Sequence, residues 1–451
     1  MHETVKNSII PPVVRSESDH LIQTLLDKEN LNVFTSASNT QISSGQLFMV
    51  DCKASTPQQV QDWYVSKPEG TPFLLLSPEE EHLAKMASVC VVNPTEEQYA
   101  VLYEITKEGG TCVTALGYSP VREGHETDTK IKPAADCKST EYFMGAVRRS
   151  LEGPINLDED SSVVTGPQDP PEEMICLSPY SQLRMAVSPI TFLTDREPFD
   201  SGLATNKSAT SFVAYYTPYL FLQQIDNGTK NSQILIVATE WNILAGELYA
   251  NDEHDRGNAQ CNMTGTLQPD PSNSSFFASA EPNDFSPKSS TGNGSFKASI
   301  NERIHYYDTT SGQNLSYNFI ASATYDIVDW AVSSNCTGTA LGPNFYATQP
   351  TNCENTPAYG AGFYKDNSKI HDLSPASCSG GTLNFGTFSS WQTEAGDLVP
   401  GPLTIYSNWN AMVYRWYVDK GTWGNKPYTY SEYCPIGQSF TVDFSLIQPP
   451  G

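Results

Sequence analysis

Glu240 is the residue whose sequence surroundings best suit acid–base chemistry. It follows the apolar run at 234–238 and directly precedes Trp241, a setting that also suits the carboxylates of glycosidases. Cleavage of a glycosidic bond needs two carboxylates that face each other across the bond. The nearest acidic residue is Glu247, and its odd spacing from Glu240 places the two side chains on opposite faces of a continuous strand. Glu240 is therefore a catalytic candidate only for a secondary hypothesis.

Asp326 and Asp329 form another pair of neighbouring carboxylates, and their odd spacing fails the same test unless the strand changes phase between them. We expect all four of these carboxylates to be solvated surface charges. Residues 251–257 have the composition of a calcium loop but lack its ligand spacing, which favours a surface turn. The histidines are scattered, and the chain has no HExxH, GxSxG or P-loop motif. The sequence thus predicts a protein that is not an enzyme and that needs no cofactor or metal ion.

Exposed aromatic side chains are the alternative way in which this chain could bind a small ligand. Aromatic residues make up 11% of the sequence, and aromatic faces stack on sugar rings. Trp391, Trp409 and Trp423 are the candidate binding residues, although core packing is the simpler explanation for most tryptophans. A carbohydrate-active enzyme or a lectin-like β-sandwich protein is therefore the second functional hypothesis.

The net charge excludes several classes of partner. The 451 residues carry a formal charge of −25, and nucleic-acid binding requires clustered Lys and Arg. Anionic membrane surfaces are disfavoured for the same reason. The chain shows no apolar run long enough to span a bilayer, and its first residues do not have the pattern of a signal peptide. We expect neither nucleic-acid binding nor membrane insertion, and a location in the cytoplasm or in a virion.

The chain changes character at residues 152–173, an acidic and proline-bearing segment without a basic residue. Repulsion between like charges and the loss of backbone donors at proline predict an extended, solvated linker. Residues 1–200 hold 15 basic and 30 acidic side chains, whereas residues 201–451 hold 11 and 21. We therefore predict an α+β module at 1–151, a linker at 152–173 and a mainly β domain at 174–451.

The first module combines helical and strand signals. The spacing of apolar residues predicts helices over 18–29 and 140–151. Thr56 and Gln59 form a capping box, with Pro57 at the first helical position, and a helix is also expected after Ser77. Strands are predicted at 89–92, 99–105 and 111–118, with Gly109 and Gly110 in a hairpin turn.

The last domain is dominated by strand signals. Every odd residue from 315 to 327 is apolar, so one face of this strand should be packed and the other solvated. We predict that Phe440, Val442 and Phe444 point inward while Asp443 points outward. Residues 234–238 read as a central strand and 250–294 as a long loop. An antiparallel β-sandwich of the jelly-roll type is the expected architecture.

Residues 174–451 resemble, in composition and strand pattern, the projecting β-domains of icosahedral virus capsids and the tips of phage fibres. The resemblance implies a viral structural protein of the virion surface, such as a capsid or spike component, that self-associates and recognises a host receptor or glycan. The amide- and aromatic-rich surface favours adaptable contacts. Assembly and surface recognition are therefore the first functional hypothesis.

Overall fold

The computed structural model describes a large part of the chain, in several separate stretches. These are residues 21–29, 31, 33–34, 46–107, 109–118, 133, 138–157, 163–165, 176–177, 181–192, 208–244, 256–270, 272, 282–288, 294–327, 331–336, 342–348, 383–421 and 424–446. Within them the protein is mainly β, with a few helices and large, mostly antiparallel sheets.

The described helices are α1 (Leu21–Lys28), α2 (Pro57–Ser66), α3 (Glu80–Met86) and α4 (Lys138–Ser150). The predicted capping box of α2 is present, because the Thr56 hydroxyl accepts a hydrogen bond from the Gln59 amide while the Gln59 side chain accepts one from the Thr56 amide. At α3 the N-cap is Glu79, whose side chain makes no capping hydrogen bond. The helices expected over 18–29 and 140–151 are confirmed.

The described residues form twenty strands. They are β1 (Val33–Phe34), β2 (Leu47–Asp51), β3 (Phe73–Leu76), β4 (Val92–Pro94), β5 (Ala100–Ile105), β6 (Thr111–Leu116), β7 (Val163–Thr165), β8 (Cys176–Leu177), β9 (Gln182–Phe192), β10 (Ser208–Ile225), β11 (Lys230–Leu244), β12 (Arg256–Pro269), β13 (Asp284–Ser286), β14 (Gly294–Asp308), β15 (Gln313–Ile327), β16 (Ala331–Asn335), β17 (Asn344–Thr348), β18 (Leu383–Gln392), β19 (Pro402–Gly421) and β20 (Gly424–Asp443).

An eleven-stranded sheet, called here the large sheet, runs through the molecule in the order β1-β2-β3-β5-β6-β9-β10-β11-β18-β13, with β8 also paired to β10. It contains strands from both sides of the predicted linker, because β6 pairs with β9 in parallel. A six-stranded sheet has the order β16-β17-β12-β19-β20-β4, and a three-stranded sheet has the order β14-β15-β7. The division into two folded units stays a prediction.

One face of the large sheet packs against the six-stranded sheet. Tyr216 of β10 and Trp241 of β11 lie on this face, and their rings are 5.5 Å apart. The Tyr216 ring is 4.6 Å from that of Phe440 in β20, and the Trp241 ring is 3.9 Å from that of Trp409 in β19. These four rings are 1% exposed or less, so they bury a large apolar area between the sheets.

The other face of the large sheet, called here the hairpin face, is covered by the β14–β15 hairpin. Strands β14 and β15 pair along their whole length, from Gly294↔Ile327 to Asp308↔Gln313. Their burial alternates strictly, with the inner positions buried and most outer positions exposed. Phe319 on the inner side lies 4.8 Å from Tyr219 and 5.4 Å from Phe221 of β10. The alternation predicted from 315 to 327 is thereby confirmed over 317–326, and Leu315 is half-buried.

The hairpin lies along β10, with its turn beside the β10–β11 turn. At this end the Asn314 side chain donates a hydrogen bond of 2.9 Å to that of Asn227. The side chains of Gln223 and Gln224 accept hydrogen bonds of 3.2 Å from the backbone amides of His305 and Tyr307, which replace ladder bonds at the edge of β14. The open end of the hairpin consequently lies toward the far end of β11.

Several local predictions are wrong. Asp443 is 5% exposed rather than solvated, and its carboxylate accepts a hydrogen bond from the Ser445 amide. Strand β20 ends there, and Phe444 begins a short 3₁₀ helix, which breaks the alternation. The strand expected at 89–92 begins only at Val92, and the loop expected at 250–294 contains β12 and β13. The phase change expected near Val328 lies outside the described residues.

The predicted linker is partly paired. Val163–Thr165 forms strand β7 against Ala321–Ala323 of β15, and Ile155 forms a bridge with Thr106. Ile155 and Leu157 are buried near Cys112. These apolar residues provide contacts that the acidic composition of the segment does not reveal.

Candidate functional site

A cleft of about 430 Å³ opens on the hairpin face of the large sheet, at the open end of the β14–β15 hairpin. It is lined by Tyr215, Glu240, Trp241, Asn242, Thr324, Tyr325, Asp326 and Asn384. Its volume lies within the range of about 300–1,000 Å³ that is typical of small-molecule sites.

The sheet supplies one side of the cleft through two adjacent rows of paired residues. Tyr215 of β10 pairs with Glu240 of β11, which pairs with Gly386 of β18. In the next row on the same face, Asn242 pairs with Asn384. Because side chains on one face recur every second residue, these polar groups point to the same side. Trp241 also borders the cleft, although its ring packs on the opposite face.

The hairpin supplies the other side through Thr324, Tyr325 and Asp326 at the end of β15. Tyr325 is 6% exposed, and its ring lies 6.4 Å from that of Phe296 on β14. A Cβ atom at Gly386 would lie only 2.5 Å from Cζ and 2.6 Å from Cε2 of Tyr325. The glycine therefore lets the tyrosine ring rest directly on the sheet backbone, which fixes this side of the cleft.

Tyr215 is held in place from behind by buried groups. The Arg184 guanidinium lies over its ring at 5.7 Å, and the Tyr142 ring of α4 meets it edge-on at 6.2 Å. Arg184 is fully buried, and its Nε atom donates a hydrogen bond of 2.8 Å to Gln182. Burial raises the pKa of the Tyr142 hydroxyl well above its ordinary value, so this group stays neutral.

The polar lining of the cleft is rich in hydrogen-bond acceptors. Glu240 brings a partly buried carboxylate from the sheet, Asp326 lies at an exposed outward position of β15 at the edge of the cleft, and none of the lining residues is basic. The Oδ1 atom of Asn242 is buried without a hydrogen-bond partner among the described residues. A buried acceptor without a partner carries a free-energy cost, so this atom is an unusual feature of the cleft wall.

A buried carboxylate also lies farther along the hairpin interface. Glu302 on the inner side of β14 accepts hydrogen bonds from the Ser390 hydroxyl of β18 and, at 2.9 Å, from the Asn283 amide. Burial raises the pKa of the Glu302 carboxyl above its ordinary value, despite these two hydrogen bonds. Glu302 does not line the cleft. Its hydrogen bond from Ser390 joins the β14–β15 hairpin to β18, so Glu302 helps to hold the hairpin on the large sheet.

The structure brings some of the predicted site residues together and buries others in the core. Glu240 and Asp326 line the same cleft, although they are distant in sequence, whereas Glu247 and Asp329 lie outside the described residues. Trp391 and Trp409 are each 1% exposed, which agrees with core packing rather than with their candidacy as surface binding residues. Their rings are large apolar surfaces that the core takes up. Trp423 lies outside the described residues.

Sequence reasoning missed Tyr215, Asn242, Asn384 and Tyr325 as members of the site. Gly386 carried the one usable signal, because an isolated glycine within a strand marks the close approach of another group. The amides carry no comparable signal in a region rich in Asn and Ser.

No family model matches the chain, and no curated protein matches it. Among solved structures, the chain is similar to the Clostridium perfringens delta-toxin, with 11% identity and a TM-score of 0.35 over 54% of this chain and 88% of that chain. It is also similar to a structure described as a pore forming protein, with 10% identity and a TM-score of 0.29 over 58% of this chain and 98% of that chain. Both TM-scores are too low to establish a shared fold or a shared function.

Within the described residues, no helix is long and apolar enough to cross a membrane. The same residues contain no cluster of three or more His, Cys, Asp or Glu side chains that could hold a metal ion.

Proposed function

We propose that the protein is a lectin-like carbohydrate-binding protein and that the cleft between the large sheet and the hairpin is its binding site. The observation that supports this proposal is the lining itself, in which Glu240, Asp326, Asn242 and Asn384 border one cleft together with tyrosine. Sugar hydroxyls both donate and accept hydrogen bonds, so they match a lining of carboxylates and amides.

The division of roles follows from the chemistry of each side chain. Carboxylates accept hydrogen bonds only, so Glu240 and Asp326 would each accept hydrogen bonds from ligand hydroxyl groups. Asn242 and Asn384 can also donate to sugar oxygens. Tyr215, fixed by Arg184 and Tyr142, would provide a rigid ring surface at little entropic cost.

Binding without hydrolysis fits the surroundings of the two carboxylates. A glycosidase needs one carboxylic acid that keeps its proton, which is achieved by an apolar environment. Asp326 is exposed to solvent and Glu240 is only partly buried. We therefore retain the expectation that the protein is not an enzyme.

Titration of the full chain with a panel of neutral and amino-sugar oligosaccharides, by calorimetry, tests the proposal. Glu240→Gln should weaken binding by about 1.5–3 kcal/mol, the range for a hydrogen bond to a charged group. Glu394→Gln makes the same change at an exposed site that does not line the cleft, and it should leave affinity unchanged. Release of reducing ends that is lost in Glu240→Gln would instead establish a hydrolase.

We retain assembly and surface recognition, in the manner of a virion surface protein, as the second proposal. The outer face of β15 supports it, because Ile320 is 44% exposed there among uncharged side chains such as Ser316 and Asn318. An exposed aliphatic residue in a neutral surface suits contact with a second copy or a host receptor. Sedimentation of wild type and Ile320→Lys at several salt concentrations tests it, since the variant should associate less.

We also retain two finer architectural proposals. The ring contacts between the large sheet and the six-stranded sheet, such as Trp241 with Trp409, support a β-sandwich of the jelly-roll type. Helices α1 to α4 and the strands between them support an α+β module at 1–151.

A further inference from the structure

We propose that Asn227 is a site of spontaneous deamidation, a covalent modification that needs water but no enzyme and that does not depend on the proposed carbohydrate binding. Asn227 and Gly228 lie in the turn of residues 226–229 between β10 and β11, beyond the last paired residues of the two strands. Asn227 is exposed, so water reaches its side-chain amide. Asp226, Asn227 and Gly228 have φ angles of 51°, 56° and 78°, a conformation that Asp, Asn and Gly tolerate.

The nucleophile of the first step is the backbone nitrogen of Gly228. It has no hydrogen-bond partner among the described residues, and glycine has no side chain that could obstruct its approach. Attack forms a bond between this nitrogen and Cγ of Asn227, while the amide proton of Gly228 passes to water. The Cγ–Nδ2 bond then breaks, Nδ2 leaves as ammonia, and the two residues share a cyclic imide (succinimide).

Water completes the reaction by adding to one of the two carbonyl carbons of the imide. Cleavage of the bond between the nitrogen and Cγ gives aspartate at position 227. Cleavage of the bond between the nitrogen and the backbone carbonyl carbon gives isoaspartate, in which the main chain runs through Cβ and Cγ. Overall, Asn227 and water become aspartate or isoaspartate and ammonia, without oxidation or reduction.

The β14–β15 hairpin polarises the amide that is attacked. The Nδ2 atom of Asn314, at the start of β15, donates a hydrogen bond of 2.9 Å to the Oδ1 atom of Asn227. Negative charge develops on this oxygen during the attack, and a donor aimed at developing charge lowers the barrier. A Cβ atom added at Gly228 would lie 3.3 Å from Cδ1 of Tyr307, so the hairpin lies beside both reacting residues.

The modification changes the contact between the turn and the hairpin. Aspartate keeps an acceptor for Asn314, and a hydrogen bond to its carboxylate is charge-assisted and therefore stronger. Isoaspartate lengthens the main chain of the turn and moves the acceptor. The adjoining Gln223 and Gln224 accept hydrogen bonds from the backbone amides of His305 and Tyr307. Isoaspartate should consequently loosen the tip of the hairpin, whereas aspartate should not.

Peptide mapping of the full chain by mass spectrometry, after incubation of the folded protein at mildly alkaline pH, tests the site. Asn301 is the internal control, because it is exposed but is paired with Ile320 in the β14–β15 ladder and precedes Glu302. Aspartate and isoaspartate should accumulate several-fold faster at Asn227 than at Asn301. Equal rates at the two positions would overturn the modification site.

Two variants of Asn314 test the contribution of the hairpin. Asn314→Ala removes the donor, and Asn314→Asp keeps the shape of the side chain but is only an acceptor once it is ionised. Each should slow deamidation of Asn227 by roughly two- to tenfold, the rate equivalent of one ordinary hydrogen bond. An unchanged or faster rate in both variants would overturn the assigned role of Asn314.

Hydrogen exchange at the backbone amides of His305 and Tyr307 measures the consequence for the hairpin. Exchange should be faster in the fraction that contains isoaspartate than in the unmodified protein. Asn227→Asp provides the matched control, since it reproduces the aspartate product and should leave the exchange rates of both amides unchanged. Equal exchange in the isoaspartate fraction and the unmodified protein would overturn the effect of the modification on the hairpin.

Discussion

Gly386→Ala tests the contact that joins the hairpin to the large sheet at the cleft. The added Cβ atom would lie 2.5 Å from Cζ and 2.6 Å from Cε2 of Tyr325, and closer still to its hydroxyl oxygen. Normal carbon contacts are about 3.5–4.0 Å, so the ring would have to move away by about 1 Å. We expect the variant to lose about 1–3 kcal/mol of unfolding free energy, the usual penalty for overpacking a close contact.

A comparison with a Tyr325→Ala background separates the cost of the close contact from the ordinary effect of replacing glycine by alanine. In a Tyr325→Ala background the obstructing ring is gone, and alanine then favours the strand over glycine by about 0.5–1 kcal/mol. The coupling between the two positions should therefore be on the order of 2 kcal/mol. Gly401→Ala is the matched control, because no atom lies within 4 Å of its added Cβ.

Urea unfolding of wild type, both single variants, the double variant and the control measures this coupling. An equal cost of Gly386→Ala with and without the Tyr325 ring would refute the close packing of ring on sheet. A stabilising effect of Gly386→Ala in the wild-type background would refute it as well.

Three further predictions concern the hairpin and the predicted linker. Phe319→Ala removes a ring that is 3% exposed and should cost about 3–5 kcal/mol, whereas Ile320→Ala at the exposed neighbouring position should change stability by less than about 0.5 kcal/mol in the same urea titration. The pKa of Glu302 is raised in the folded protein, so its protonated carboxyl contributes to the free energy of unfolding. This contribution is fully present below the pKa of Glu302 in the unfolded state, and it is lost as pH rises through the pKa in the folded state. Glu302→Gln should therefore flatten the decline of stability above the ordinary glutamate pKa of about 4.3, and an unchanged pH profile would contradict the burial of this carboxylate. Limited proteolysis should cut first within 152–173, but the two fragments should stay associated under native conditions because β6 pairs with β9 across the cut, and primary cleavage within 250–294 would argue against the predicted linker.

The sequence by itself determined the periodic elements of this protein. The capping box at Thr56 and Gln59 and the helical spacing of 18–29 and 140–151 predict helices that the structure contains. The alternation from 315 to 327 predicts which side chains of β15 are buried. These predictions succeed because helix and strand periodicity depend on near neighbours in the chain.

Asp443 shows where local patterning fails. Its place between Val442 and Phe444 predicted a solvated side chain, yet the strand ends at that residue and the carboxyl is buried. The end of a strand depends on neighbouring segments. Here the Asp443 backbone amide donates a hydrogen bond to the carbonyl of Val91, which is far away in the sequence. Alternation alone carries no information about such distant partners.

Only the tertiary structure decided the candidate site. Glu240 was recognised from its neighbours in the sequence. The second acidic residue was sought at Glu247, and the two-residue period of a continuous strand places Glu247 on the opposite face from Glu240. Asp326 comes instead from the hairpin that folds over the large sheet, and Tyr215 and Asn384 come from the strands paired with β11. Strand pairing and sheet packing join residues that are far apart in sequence, and the spacing of residues along one strand cannot encode that contact.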